Sequence, residues 1–552
     1  MKGKTTSISR AQNGMALVIV LILILMMSLI GIGSIMTSMS EMDVADNELK
    51  QTGAFYIAES GLEKAAAEIS ERYETAGVPP NPLPSGALED NIYSCVYSVA
   101  DGGAAVQTTL TEGAYRGLYG LVKSFEISSV GTDADRESAV TLSLGMQDAL
   151  IPLFQFAVFY ENDLEIAPGP NMTLGGRVHS NQNVYLQSGL NLFIESYLTS
   201  ASNIFHGRKP GSGQSETNGN VLIRDRNNVY QDMRNLDGTW LDSRSSDWVH
   251  NSIARWNGQV EDSDHGFSQL NMPVVVDGAT TDLIDRGSGN NDSFEHKAGL
   301  KFIDGQALYL QNDGTWIDVT SNLVTSGVMT QTTFYDAREQ QQVLSLDLDL
   351  QRLGSSGYFP GNGIIYSSFQ PSFGVVTGLR LQNGAELRGA LTVATDNPMY
   401  TAGNYNTVNK KPAALIADAI TVLSSNWSDA RSEQNIDNRL AVGTQINACF
   451  MTGNTETGAN GQEYNGGLEN LPRFLEKWTD RSFVWRGAMV DLWYSRQATG
   501  EWSYGRYYTA PNRDWAFDPS LLDIANLPPG TPMVNIVQRT HWRQVVGQNQ
   551  EI

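Results

Sequence analysis

The sequence predicts an α+β protein: a long N-terminal helix, a small α+β unit, and a large mainly-β head with insertions. Three observations point there. Residues 15–76 are apolar and then amphipathic, with no proline. Residues 77–150 carry alternating strand patterns. Beyond residue 150, short apolar pieces are separated by Gly, Asn, Ser and Pro.

The helix comes first. Residues 14–36 read GMALVIVLILILMMSLIGIGSIM, behind a polar leader that carries Lys2, Lys4 and Arg10. At about 1.5 Å per residue, Met15 to Met36 makes a helix roughly 33 Å long, enough to cross a hydrocarbon core of about 30 Å. Cations before the run, with Glu41, Asp43, Asp46 and Glu48 after it, favour a cytoplasmic N-terminus and an exported C-terminal part. A cleaved secretory signal has a shorter apolar core of about 7–15 residues and an A-x-A-like site, and neither is evident. Past the membrane, Phe55, Ala58, Leu62, Ala65, Ala66, Ile69 and Tyr73 recur at steps of three and four, one apolar face among acidic neighbours. GVPPNPLPSG, residues 77–86, then stops a helix of about 60 residues, roughly 90 Å long.

Gly14 sits at the junction of the leader and the apolar run, followed by Met15 and Ala16. This resembles the class III leader of type IV pilins and pseudopilins. FYIAESGLEKA, Phe55 to Ala65, is similar to the end of the N-terminal helix in PilX-type pilus assembly proteins. The resemblance implies cleavage between Gly14 and Met15 by a prepilin peptidase, with methylation of the new N-terminus. It further implies single-pass residence in the inner membrane with the head in the periplasm, then placement in a pilus at the cell surface. The partners it implies are other major and minor pilins, contacted through the helix, and a PilY-like tip adhesin.

Ile19 departs from the pilin pattern. It stands five residues into the mature chain, where most pilins have the glutamate held to neutralise the terminal amine of a neighbouring subunit. A carboxylate at the centre of a membrane helix costs about 2.5–3.5 kcal/mol on insertion scales, so subunits that keep one have a use for it. A subunit with Ile19 lacks that pairing with a subunit ahead of it, which suits the fibre tip. GspK-like pseudopilins share both the departure and the large size. Ile19 is therefore expected to determine fibre position; the plain alternative is an ordinary apolar residue in a membrane anchor.

Size and charge fit an exported head. The 552 residues suggest two to four structural units. Without the three leader cations, the 37 Lys plus Arg fall to 34 against 60 Asp plus Glu, so the net charge moves from −23 to −26. Such an acidic chain disfavours nucleic acid and anionic lipid as partners of the head. Cys95 and Cys449 are too few for a disulfide framework.

Strands at 91–99, 125–130 and 139–144 would complete a pilin-like α+β unit over 77–150. From 164 to about 205, apolar pieces interrupted every eight or so residues suit rungs of a parallel β-helix or a sandwich of short strands. The pattern returns at 374–424, so 151–206 and 338–425 are expected to form one β-rich unit. GRVHSNQNVYL and ATDNPMYTAGNYN within it are similar to large exported heads attached to PilX-type N-termini. Between the two halves, 207–337 is a polar insertion. Its echo LDGTWLD (236–242) and NDGTWID (312–318) suggests hairpins. Residues 426–552 form an aromatic-rich C-terminal region. Its Trp, Tyr and Phe, interleaved with Arg481, Arg486, Arg496, Arg506 and Arg513, fit hairpin and interface packing, or exposed stacking on protein or sugar.

Catalytic chemistry is nearly absent. Five histidines between 179 and 296 form no close ligand pair, and Asp262, Asp264 and His265 lack EF-hand spacing. Asp347 and Asp349 share a strand face opposite three leucines, as the wet face of a half-buried strand would. No G-x-S-x-G, P-loop, CxxC or H-E-x-x-H occurs. The expectation is a minor pilin-like structural protein that primes, caps or decorates a type IV pilus or related fibre, with no cofactor, metal or catalytic residue. The alternatives are a membrane-anchored adhesin with a β-helix head and, less favoured, a polysaccharide-acting enzyme.

Overall fold

In a computed structural model of the chain, the described residues are 12–76, 78–111, 113, 115–135, 139–272, 279–370, 376–458 and 464–545. The leader cations Lys2, Lys4 and Arg10 lie outside them. The chain divides into two compact units: Met1–Ala105 with Lys123–Asp148 and Val537–Ile552, and Val106–Val122 with Ala149–Ile536.

The first unit is built on α1, Gln12–Ala76, a single helix of 65 residues. Its N-terminal half is exposed from Met15 to Leu49. Its C-terminal half buries Ala54, Ala58, Leu62, Ala65, Ala66, Ile69 and Tyr73 against Tyr97, Phe125, Ile127, Val140, Leu142 and Leu144. These contacts follow the three-and-four spacing, except that Phe55 is only partly buried. The opposing strands are β1 (Ser85–Glu89), β2 (Tyr93–Asp101), β4 (Tyr119–Asp133) and β5 (Ala139–Pro152); β3 (Val106–Thr109), paired with the first residues of β4, belongs to the second unit. The sheet order is β1–β2–β4–β5, followed by the C-terminal strand Met533–Val545. Small residues bring helix and sheet close. A Cβ on Gly61 would lie 2.5 Å from the Ser129 hydroxyl and 2.9 Å from the Cys95 sulfur; one on Gly131 would lie 2.0 Å from the Ala54 carbonyl oxygen.

The second unit is a stack of parallel rungs. Val158–Tyr160, Val178–Ser180 and Leu198–Ser200 pair in parallel with Val158, Val178 and Leu198 in register, a 20-residue step. Leu164, Val184 and Ile204 align on the next wall, and Met172 with Leu192 on the third. The third step lengthens, Leu192 pairing with Val221, because the loop from 207 to 219 intervenes. Side-chain amides ladder at the corners: Asn191 donates to Asn171 at 2.9 Å and Asn220 to Asn191 at 3.0 Å, while Asn203 donates to Asn183 at 3.2 Å. Each ladder satisfies polar groups that a one-residue slip would strand, and so fixes the register.

One twelve-stranded sheet runs through the whole stack. Its order is Val260–Glu261, Leu198–Ser200, Val178–Ser180, Val158–Tyr160, Met489–Tyr494, Cys449–Asn454, Ala413–Ala417, Leu391–Thr395, Ile364–Ser368, Leu300–Ile303, Gln306–Leu310 and Trp316–Asp318. Val158–Tyr160 therefore pairs with Met489–Tyr494 and not with a strand of 338–425. Residues set apart by their aromatic density supply the rungs that join the two β-rich halves. The aromatics fill the inside of those rungs: Trp485 and Trp515 are register partners, and Phe474 packs on Trp478, Phe483 and Tyr508 with centroids 5.4, 5.5 and 5.9 Å apart. The polar insertion is likewise not one body, because it supplies the strands at both ends of the twelve. Its two Asp-Gly-Thr-Trp echoes close the same turn, with Asp237 and Asp313 accepting from the backbone N–H of Thr239 and Thr315, and with Gly238 and Gly314 at φ 86° and 85°.

Candidate functional site

The sequence-derived site residues all fall on α1. Gly14 lies near the helix start, Met15 and Ile19 follow within its exposed apolar half, and Ile19 is 52% exposed. Leu17, Val18, Ile22 and Leu23 are equally uncovered, so α1 presents apolar side chains all round. A helix apolar on every side, with no protein packed on it, is suited to lipid or to other helices. Among the described residues it is the single helix long and apolar enough to cross a membrane.

The residues weighed for chemistry are structural. Asp347 is not on a wet face: its side chain and that of Arg380 are each 4% exposed, paired at 2.5 Å. Thr332 and Ser345 hydroxyls and the Gln382 amide complete its shell at 2.9, 2.7 and 3.1 Å. The alternation rule failed there because the strand is an inner member of a sheet with antiparallel and parallel neighbours, and its polar face is covered by 429–432. Asp349 is spent as a helix cap, accepting from the Arg352 N–H at 2.9 Å.

Asp262 is buried and accepts from Trp248 Nε1 at 2.7 Å, the Ser243 hydroxyl at 2.6 Å and His265 at 2.8 Å. Burial alone would raise its pKa, but these hydrogen bonds outweigh it and the carboxyl stays below its ordinary range. His179 is buried between Thr199 and Asn181, and desolvation pushes it down to about 4. Among the described residues no group of three or more His, Cys, Asp or Glu is arranged to hold a metal. Cys95 and Cys449 are buried free thiols.

Sequence reasoning missed two features of the head. The first is the seam where the two runs of rungs meet. Glu165 there accepts the Thr457 hydroxyl, and Glu469 accepts Tyr464 Oη at 3.0 Å and the Ala167 N–H at 3.3 Å. Burial raises the pKa of both, and of Asp491 beside them. Separations of about 300 residues left no local signal. The second is an open groove between 225 and 257, whose largely polar lining includes five carboxamide side chains. Its density of Asn and Asp reads in sequence as turn-forming.

Residues 13–63 match the PilX N-terminal family. The chain carries a PilX-type pilin N-terminus. That PilX-type segment covers the exposed half of α1 and the start of its packed half, and it is followed by a large mainly-β head. No curated protein matches the chain. Among solved structures, competence-associated pilin ComZ from Thermus thermophilus aligns over 91% of this chain and 98% of its own, at 10% identity and a TM-score of 0.31. That score is too low to carry a fold or a role from one head to the other. The family match is confined to residues 13–63, the segment that holds the apolar, membrane-anchoring kind of helix.

Proposed function

We propose that this protein is a minor pilin that is cut after Gly14 by a prepilin peptidase and primes or caps a type IV pilus or related fibre. The observation that carries the reading is α1 itself. It is one unbroken helix whose first half is bare and apolar and whose second half is docked on a small sheet, with the PilX-type match spanning the transition. A helix of that kind is stored in the inner membrane, head outward, and withdrawn into a bundle of like helices, where apolar packing replaces lipid. Ile19 places no carboxylate in the bundle, which favours the end of a fibre, where no subunit lies ahead to be paired.

The test is Gly14→Arg in the full chain, expressed with its peptidase. The expected result is an unprocessed species of lower mobility on a gel and loss of the subunit from sheared fibres. Unchanged mobility of the variant would count against the reading. An adhesive head is compatible with this role.

A further inference from the structure

We infer that the groove between 225 and 257 is a binding site for an uncharged oligosaccharide. The inference stands on the head alone and does not depend on the reading of α1.

The groove is open to solvent and offers about 1050 Å³. That is at the upper end of the ~300–1,000 Å³ typical of ligand clefts, room enough for several sugar units. Five carboxamides line it: Asn227, Gln231, Asn235, Asn251 and Asn257. A carboxamide offers a donor and an acceptor side by side, the complement of a sugar hydroxyl, which also does both. The charged groups in the lining are Asp225, Asp237 and Arg255, which nearly cancel on a chain whose net charge is −23. The groove therefore lacks the cation excess that a phosphate or a polyuronate requires and the apolar floor that a lipid or a hydrophobic peptide requires.

The walls are held in place before any ligand arrives. Asp225 accepts from the N–H of Asn227 and Val229 at 2.8 and 2.9 Å and from Gln231 Nε2 at 3.1 Å. Arg255 donates to the carbonyls of Asp232 and Met233 at 3.0 and 3.2 Å and to Asn235 Oδ1 at 2.6 Å. Trp240 is clamped against the His206 ring at 3.3 Å and 7°, with the Arg234 guanidinium 4.5 Å from its centroid, and contributes a rigid edge. By contrast, Asn227 and Asn257 are exposed, and no hydrogen bond within the described chain occupies their side chains. Fixed walls with unspent amides at the rim lower the ordering cost of binding a flexible polar chain.

The experiment uses the full chain in lauryldimethylamine oxide, a detergent with no sugar head group to compete. An array of immobilised uncharged and acidic glycans is probed first, and the hits are titrated calorimetrically as free oligosaccharides. The expected result is binding to uncharged glycans, weakened about tenfold or more in Asn227→Ala/Asn257→Gly, where two hydrogen bonds are lost and glycine keeps the left-handed backbone of residue 257 (φ 54°) unstrained. Both side chains are exposed, so the variant should keep the parent's near-ultraviolet circular dichroism, which is recorded as a check on folding. Absence of any glycan binding, preference for acidic glycans, or equal binding by a folded double variant would each overturn the assignment.

Discussion

Replacing Arg380 by methionine tests whether the head is held by buried charge as well as by rung packing. Arg380 donates to Asp347 at 3.1 and 2.5 Å, to Asp429 at 2.6 and 3.0 Å and to Thr332 Oγ1 at 2.8 Å. Burial would lower its pKa, yet the two carboxylates raise it, so the charged form is favoured overall. Breaking a buried pair by removing one partner costs about 3–5 kcal/mol, because the other charge remains uncompensated. Asp347 would keep three neutral donors, from Thr332, Ser345 and Gln382, and Asp429 is partly exposed at 32%. The lower end, about 3 kcal/mol, is therefore expected.

Arg380→Met/Asp347→Leu removes both charges. It should recover about half the loss, the remainder being hydroxyl and amide groups left without their acceptor. The assay is guanidinium unfolding of the full chain in detergent, followed by tryptophan fluorescence at pH 5 and pH 8. Trp427 is a local reporter, since its indole N–H donates to Asp429 at 2.9 Å. A single variant within about 1 kcal/mol of the parent at pH 8, or a double variant no more stable than the single, would refute the reasoning.

Glu476, accepting from Ser424 N–H and Oγ at 2.6 and 2.8 Å, is raised by burial to about 7. Its folded pKa exceeds its unfolded value of about 4.5, so stability is lost as pH rises from about 4.5 to 7, by at most about 3 kcal/mol. Glu476→Gln should remove that slope and melt higher than the parent at pH 8; Asp396, also raised to about 7, leaves a second slope in place. Gly131→Val should lift α1 from its sheet, since its Cβ would lie 2.0 Å from the Ala54 oxygen and 3.0 Å from the Ala58 Cβ. A loss of about 1–3 kcal/mol or more is expected, with faster proteolysis in 50–76; parent-like resistance would contradict the close packing. Ile19→Glu, if Ile19 confines the subunit to the tip, should let an epitope-tagged protein appear along fibres by immunogold labelling, and labelling still confined to tips would remove Ile19 as the determinant.

The helical face of α1 was legible because its pattern is local: residues three and four apart share a surface, and the sheet buries that surface. Rungs were legible for a similar reason, since each corner needs small or amide residues. Partners were not. Periodicity says that Val158–Tyr160 is a strand, but carries nothing about Met489–Tyr494 being its neighbour. Asp347 shows the same limit with charge. Alternation with leucine described the strand correctly, yet the fate of the carboxylate depended on Arg380, one strand over and 33 residues on.

The twelve-strand order also gives the polar insertion a place in the stack. A rung stack exposes unpaired backbone at both ends, a template for unwanted strand addition unless covered. This chain sends one piece of the insertion to each end: Val260–Glu261, followed by the buried Asp262 cluster, closes one, and the meander Leu300–Ile303, Gln306–Leu310, Trp316–Asp318 closes the other. Val260–Glu261 and Leu300–Ile303 therefore stand towards opposite ends of the stack, and the second run of rungs builds back until Met489–Tyr494 meets Val158–Tyr160. The seam is the contact of greatest sequence separation along this sheet, and its loop-closure entropy is the largest to be met. Burial of Glu165, Glu469 and Asp491 at that seam, which raises the pKa of each, adds a cost that the flanking aliphatic rungs must offset.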